Sequence, residues 1–362
     1  MRAAQQQLSP DICGSKVVLF LGAGASAALG LKLMGSFMDL LEETMGDIAL
    51  RGVLGKMCAE RGKDLEVLFE TIEKYEMQAE WCRSEPNWRR VADTQEFGSL
   101  MGDARQIKKL ASDLLVVHYG AVDRGAAAPL YLDFLALLVH SNTPRHLPIF
   151  TTNYDIVIED FVDGARGLFH LVDGFTTGSR RTWSPDTTFG IYRAEPSGEN
   201  ALLLFKLHGS CAWRLDRQTN LYTKESSSEP VSQGSRYENA LVWPALTKTV
   251  REGPYETNYA YLRGCLQVAE LCVVIGFSFR DEVIKSYFVH AMAANPSLQL
   301  AVIDPRAAPL GKNTLGLPGD SRFHPIVSKF GTEHLPTIGF ELAKLDFAWE
   351  PGTLAALTAQ PE

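Results

Sequence analysis

The sequence predicts an α/β fold built on a doubly wound parallel sheet, and three observations predict it. Several short runs are apolar at consecutive positions, so both of their faces must be covered, as in the buried strands of a parallel sheet. Helical patterns lie between those runs, the alternation from which crossover connections are made. The runs also stop at glycine, asparagine, histidine or aspartate, which collects polar groups at the carboxyl strand ends where open sheets bind ligands.

The first run is Lys16-Val-Val-Leu-Phe-Leu-Gly22, and similar runs occupy residues 148–151, 201–207, 271–276 and 300–304. Residues 41–140 carry no convincing strand. Their apolar positions recur at helical spacing, as in Leu65, Leu68, Phe69 and Ile72 or Ile107, Leu110 and Leu114, which predicts a helical subdomain inserted after the first β-α unit. Residues 180–200 and 216–238 are rich in Ser, Thr, Gly, Pro and charge and are expected as loops or lids over the carboxyl edge. Residues 305–362 form a C-terminal extension to what reads as one decorated domain over residues 1–362.

With 46% hydrophobic and 22% charged residues among 362, the composition is that of a globular protein. A formal net charge of −8 argues against direct nucleic-acid binding. The six cysteines, at 13, 58, 82, 211, 265 and 272, form no C-x-x-C pair, so neither a disulfide framework nor a metal is expected. No apolar segment suits a signal peptide or a membrane span, and a reduced, cytoplasmic protein is the expectation.

Gly22-Ala23-Gly24-Ala-Ser26-Ala27 follows the first strand and fits G-x-G-x-x-A, where small residues let backbone approach a pyrophosphate near a helix N-terminus, as in Rossmann-like folds. A tight turn with no ligand is the plain alternative. Asp39, Glu42 and Glu43 fall in a helical pattern rather than at the end of a second strand, so a nicotinamide dehydrogenase layout fits poorly. Phe150-Thr-Thr152-Asn153-Tyr-Asp155 closes the next strand; its amide could hold a ribose hydroxyl or a water, or the segment could be an Asx-turn that starts a helix. Leu204-Phe-Lys-Leu-His208-Gly209 brings a histidine to a third strand end, Gly276-Phe-Ser278 adds a glycine-serine turn, and Val302-Ile-Asp304 ends in a carboxylate suited to ribose hydroxyls. Five such ends converging on one crevice are hard to explain as packing alone. Trp81, Trp88 and Trp213 read as partly buried packing residues, and His118 and His140 as structural.

The ordered set from Gly22 to Asp304 resembles the signature of the sirtuin family over residues 17–304. The resemblance implies a sirtuin-like fold with NAD as substrate and no other cofactor. It would lay Ala23, Gly24 and Ser26 along the phosphates and ribose, put Ser278 and Asp304 on the adenosine side, and include Gly22, Thr152 and Gly276 in the binding set. Asn153 and His208 match the family's catalytic asparagine and histidine, with Asp155 as a third candidate. Three departures stand out. The zinc module of deacetylating sirtuins needs two C-x-x-C pairs, whereas the only cysteine between His208 and Trp243 is Cys211. The Asn153 motif also lacks the glutamine common in deacetylases, and the helical insertion is larger.

These departures make the chain similar to sirtuin-like effectors of bacterial antiphage defence, of the compact type that works beside a HerA-class helicase-type ATPase. The resemblance then implies an NAD hydrolase; because a freely active one would drain its own cell and the long helical insertion offers interface surface, a homo-oligomer whose activity depends on assembly is expected. Nicotinamide is a cationic leaving group, so hydrolysis needs a stabilised oxocarbenium-like ribose and a placed water rather than a general acid. Asn153 would hold the ribose or the water, a neutral His208 would accept a proton, and Asp155 could add negative potential or merely cap a helix. Protein deacylation, ADP-ribosyl transfer and non-catalytic NAD sensing or scaffolding are the alternatives.

Overall fold

The computed structural model describes residues 14–58, 65–122, 124–165, 167–185, 200–225, 229–232, 234–242, 253–316 and 319–349. Cys13 and all of residues 186–199, 243–252, Trp243 among them, and 350–362 lie outside them. The chain opens with β1 (Val17–Leu21), followed by the helices α1 (Met34–Thr44), α2 (Ile48–Cys58), α3 (Leu65–Ser84), α4 (Arg89–Ala92), α5 (Gln95–Gly120) and α6 (Arg124–His140). Next come β2 (His146–Thr151), α7 (Val157–Gly164), β3 (His170–Val172), β4 (Arg181–Thr182), β5 (Ala201–Lys206), β6 (Gly209–Asp216), β7 (Leu221–Lys224) and β8 (Tyr237–Leu241). The chain continues through α8 (Pro254–Val268), β9 (Leu271–Ile275), α9 (Glu282–Ala294), β10 (Gln299–Ile303), β11 (Phe323–Ile326) and α10 (Leu335–Ala343).

Seven strands form a parallel sheet in the order β11-β10-β9-β1-β2-β5-β3. This is the doubly wound, Rossmann-like α/β arrangement expected from the sequence. The consecutive apolar residues of β1 serve both faces of it. Val17, Leu19 and Leu21 pack with Leu41, Leu68 and Phe134 of the inserted helices. Val18 and Phe20 point the other way, toward Leu262 of α8 and Phe288 of α9. The insertion therefore shares its core with the sheet. Strand order reverses between β1 and β9, and the crevice outside the carboxyl ends at such a reversal is where open α/β sheets bind ligands.

The expectation of loops across residues 180–200 and 216–238 needs correction. A second, antiparallel sheet runs β4-β7-β6-β8, with β6 leaving the main sheet directly after His208. Its strands hide polar side chains: Arg214, Thr223 and Lys224 are buried, so the sequence pattern looks solvated while the structure is not. Residues 186–199 of the first segment lie outside the described residues. Two short parallel strands, β3 and β11, also escaped the sequence pattern.

The three tryptophans divide. Trp213 is buried beside Phe175 and Tyr255, whereas Trp81 and Trp88 are about half exposed, at 49% and 50%, and meet each other in a tilted contact with ring centroids 5.8 Å apart. Among the described residues no helix is long and apolar enough to cross a membrane, and no group of three His, Cys, Asp or Glu side chains could hold a metal.

Candidate functional site

The carboxyl ends of β1, β2, β5, β9 and β10 open into one cavity of about 370 Å³. Ala23, Gly24, Ser26, Thr152, Asn153, Asp155, His208, Gly276, Ser278 and Asp304 all line it. Ten of the eleven site residues read from the sequence thus meet in one place. Gly22, the eleventh, lies behind the wall.

The glycine turn differs in detail from the expectation. It leads into two short 3-10 turns, Ala23–Ala25 and Ala27–Leu29, rather than into an α-helix. The Gly24 N–H donates to the Gly276 carbonyl at 3.0 Å, so it is engaged within the protein. A Cβ on Gly24 would meet Gly276 Cα at 2.6 Å, and one on Gly22 would meet Gly276 O at 2.5 Å. These glycines are small because the turns after β1 and β9 interlock backbone to backbone, a reason the sequence alone could not distinguish from phosphate approach. Tyr131 of α6 braces the turn by donating to the Ala25 carbonyl at 3.2 Å.

Beside that turn lies a buried polar knot. Asn153 Nδ2 donates to the Gly22 carbonyl at 2.9 Å and to Ser26 Oγ at 3.2 Å. Ser26 Oγ donates in turn to Asp155 Oδ2 at 2.8 Å, and Asp155 Oδ1 accepts the Val157 N–H at 3.1 Å. The helix-start reading of Asp155 is therefore realised, and its second oxygen serves the knot as well. Lys206 Nζ donates to the Asp155 backbone carbonyl. Burial raises the Asp155 carboxyl above the ordinary value, against the lowering pull of Lys206 and of the Ser26 hydrogen bond.

His208, 6% exposed, projects from the turn between β5 and β6, whose carbonyl accepts the Val242 N–H at 2.8 Å. Its Nε2 lies 3.3 Å from Asp281 Oδ2. On the far side, Asp304 at the end of β10 turns the chain by accepting the Arg306 N–H at 2.7 Å on Oδ1.

Several wall residues were missed by the sequence reading. Leu31 and Leu33 come from the segment leading into α1, Tyr119 from α5, and Arg280, Asp281 and Arg306 from the turns after β9 and β10. Tyr119 donates to the Lys32 carbonyl at 2.8 Å while His118 Nε2 accepts the Lys32 N–H at 3.0 Å, so α5 holds this wall in place. Tyr119 gives no local signal, because α5 reaches the cavity only through tertiary packing. Asp281 does give one, since an aspartate before Glu282 and a helical apolar pattern reads as an N-cap.

Residues 148–315 match the family model described as SIR2-like domain. The SIR2-like stretch, just under half of the chain, holds Asn153, Asp155, His208, Gly276, Ser278 and Asp304, while β1 and its glycine turn lie before it. No curated protein matches the chain. Among solved structures, a Sir2 homologue mutant complexed with ADP-ribose is 13% identical, covering 92% of this chain and 96% of its own, with a TM-score of 0.45. A Sir2 homolog–NAD complex is 14% identical over 88% of this chain and 86% of its own, with a TM-score of 0.44. These structural likenesses add nothing to the geometry above. The sirtuin-like fold class expected from the sequence stands on the SIR2-like match and the sheet order.

Proposed function

We propose that the protein is an NAD glycohydrolase. One observation carries the reading: an amide, an imidazole and three carboxylates from four strand ends face a single cavity, within a stretch that matches a SIR2-like domain. In this reading the adenosine side lies against Ser278 and Asp304, with Ala23, Gly24 and Ser26 along the phosphates. The bond between nicotinamide and C1′ breaks with its electron pair leaving to the ring, which neutralises the pyridinium. Water attacks C1′, its proton passes to His208 and then to solvent, and ADP-ribose is released. Asn153, held by the Gly22 carbonyl and Ser26, has a fixed amide from which its oxygen can orient the ribose or the water. Asp155 adds negative potential near the developing cation.

The test is incubation of purified protein with NAD and quantitation of nicotinamide and ADP-ribose. Equimolar release without acylated peptide supports hydrolysis. Nicotinamide release only with an acyl-lysine peptide would mean deacylation, covalent label from radiolabelled NAD would mean ADP-ribosyl transfer, and binding without cleavage would mean a sensor. The wider reading is of a cytoplasmic defence effector that depletes NAD as a homo-oligomer beside a HerA-class ATPase, and it rests on the sequence resemblance. Full specific activity in a dilute monomer without partner or trigger would remove it.

A further inference from the structure

We infer that Asp281 is a positioning residue for His208, a carboxylate locked by the helix it caps that fixes the imidazole and dictates which ring nitrogen is basic. The inference rests on the proposed role of His208 as proton acceptor.

The chain reaches Asp281 by an unusual route. After β9 it passes through Gly276 at φ +60° and then Phe279 at φ +55°. A bulky residue in that left-handed region is strained and persists only where its surroundings hold it. Phe279 is fully buried, with ring centroids 5.0 Å from Phe277 and 5.2 Å from Phe288. That packing places Asp281 at the N-cap of α9. There Oδ1 accepts two backbone N–H groups, from Val283 and Ile284, both at 3.1 Å. The other oxygen, Oδ2, lies at the 3.3 Å contact with His208 Nε2.

The two side chains are 7% and 11% exposed, so their interaction is weakly screened. An ionised carboxylate can only accept, so Nε2 carries the proton of the neutral imidazole and Nδ1 is the basic nitrogen. The negative charge also favours the imidazolium that proton transfer creates. Tyr154, from the segment after β2, has its ring 6.4 Å from that of His208. Tyr259 of α8 faces Asp281, and its hydroxyl is pushed up first by burial and then by that charge. The remaining titratable groups on the cavity wall are Asp155, Asp304, Tyr119, Arg280 and Arg306.

Capping alone would also explain an aspartate here, and the choice of variants separates the two roles. Asn and Ser cap helices about as well as Asp, so Asp281→Asn and Asp281→Ser keep α9. With its oxygen committed to the cap, the asparagine presents an amide donor to Nε2 and moves the imidazole proton to Nδ1. The experiment follows the His208 ring by NMR through a pH titration in wild type and both variants, beside kcat and KM against pH. The expected result is a His208 pKa lower by about one unit or more in both variants. In Asp281→Asn, kcat should fall about 10- to 100-fold with KM little changed, and the acid limb of the profile should move to lower pH. Wild-type titration of His208 and unaltered turnover in both variants would overturn the inference. A wild type that releases no nicotinamide would defeat the hydrolase reading, and full turnover by a folded His208→Ala the general-base reading. In either case the titration alone still decides whether Asp281 sets the imidazole.

Discussion

Asp155, after β2, and Asp173, after β3, stand at the carboxyl ends of two strands in the same half of the sheet, nearly buried at 5% and 6% exposure. Each accepts a backbone N–H two residues on at 3.1 Å, from Val157 and Phe175. Their second oxygens differ. That of Asp173 receives Lys224 Nζ at 2.6 Å and Arg181 at 3.1 Å, whereas that of Asp155 receives the Ser26 hydroxyl. The nearby cation, Lys206, spends itself on the Asp155 backbone carbonyl and on Glu159 at 3.6 Å. Burial alone would raise both carboxyls, but Lys224 and Arg181 hold Asp173 below the usual value while Asp155 stays above it. The same local turn is thus a structural anchor where cations meet the carboxylate, and a costly charge where the cavity does. A buried charge only partly offset by its neighbours is a mark of functional sites.

The largest effect should come from the cavity end of this contrast. Asn153→Ala and His208→Ala should each reduce nicotinamide release on the order of a hundredfold to ten-thousandfold. Asn153→Ala should also lose roughly 1–2 kcal/mol, because its two buried hydrogen bonds vanish. Turnover and melting curves on each variant check both statements, and retained turnover in either folded protein would break the catalytic half of the contrast.

At the anchor, Asp173→Asn leaves Lys224 buried with Glu159 at 3.3 Å as its remaining carboxylate. The expected loss is about 3 kcal/mol at neutral pH. The sign with pH follows from the lowered folded value. The contribution of Asp173 is present above the ordinary 3.8 and is lost as pH falls through its folded pKa. Denaturant melts should therefore converge for wild type and variant in acid, and a constant gap would mean the lost stability is not this ion pair. Ser26→Ala is a smaller step on the cavity side, at roughly 1–3 kcal/mol, because it strips a donor from a buried carboxylate. A neutral result by the same melts would show that the knot is not a stabilising unit.

The sequence made the parallel sheet legible because β1, β2, β5, β9 and β10 are apolar on both faces and each ends on a residue with chemistry. It left the anchor illegible for the opposite reason. Lys224 and Arg214 are buried on β7 and β6, the first paired with Asp173 and Glu159 and the second donating to backbone carbonyls, and charges that find partners inside a protein look in sequence like charges facing water. Gly22 and Gly276 were legible as glycines but not in their purpose, since phosphate approach and backbone interlock select the same residue. Asp281 was readable as a cap, while its contact with His208 joins two strand ends distant in sequence.

The smallest expected effect is the most discriminating. Asn in place of Asp155 keeps an oxygen for the Val157 N–H and can donate its amide to Ser26 Oγ, whose two lone pairs can take both this donor and Asn153. It also removes a charge that burial disfavours. Because the folded pKa of Asp155 is raised, its favourable linkage is fully present below the ordinary 3.8 and is lost as pH rises through the folded value. Wild type should accordingly gain stability relative to Asp155→Asn as pH falls, the reverse of the Asp173 variant, and at slightly alkaline pH the asparagine protein should melt no lower than wild type. A loss as large as that of Asp173→Asn at alkaline pH would show that Asp155 too is an ion-paired anchor. If the expected trend in stability comes with a fall in turnover, the retained charge acts on the reaction; if turnover is unchanged, Asp155 serves only to start α7 and seat Ser26.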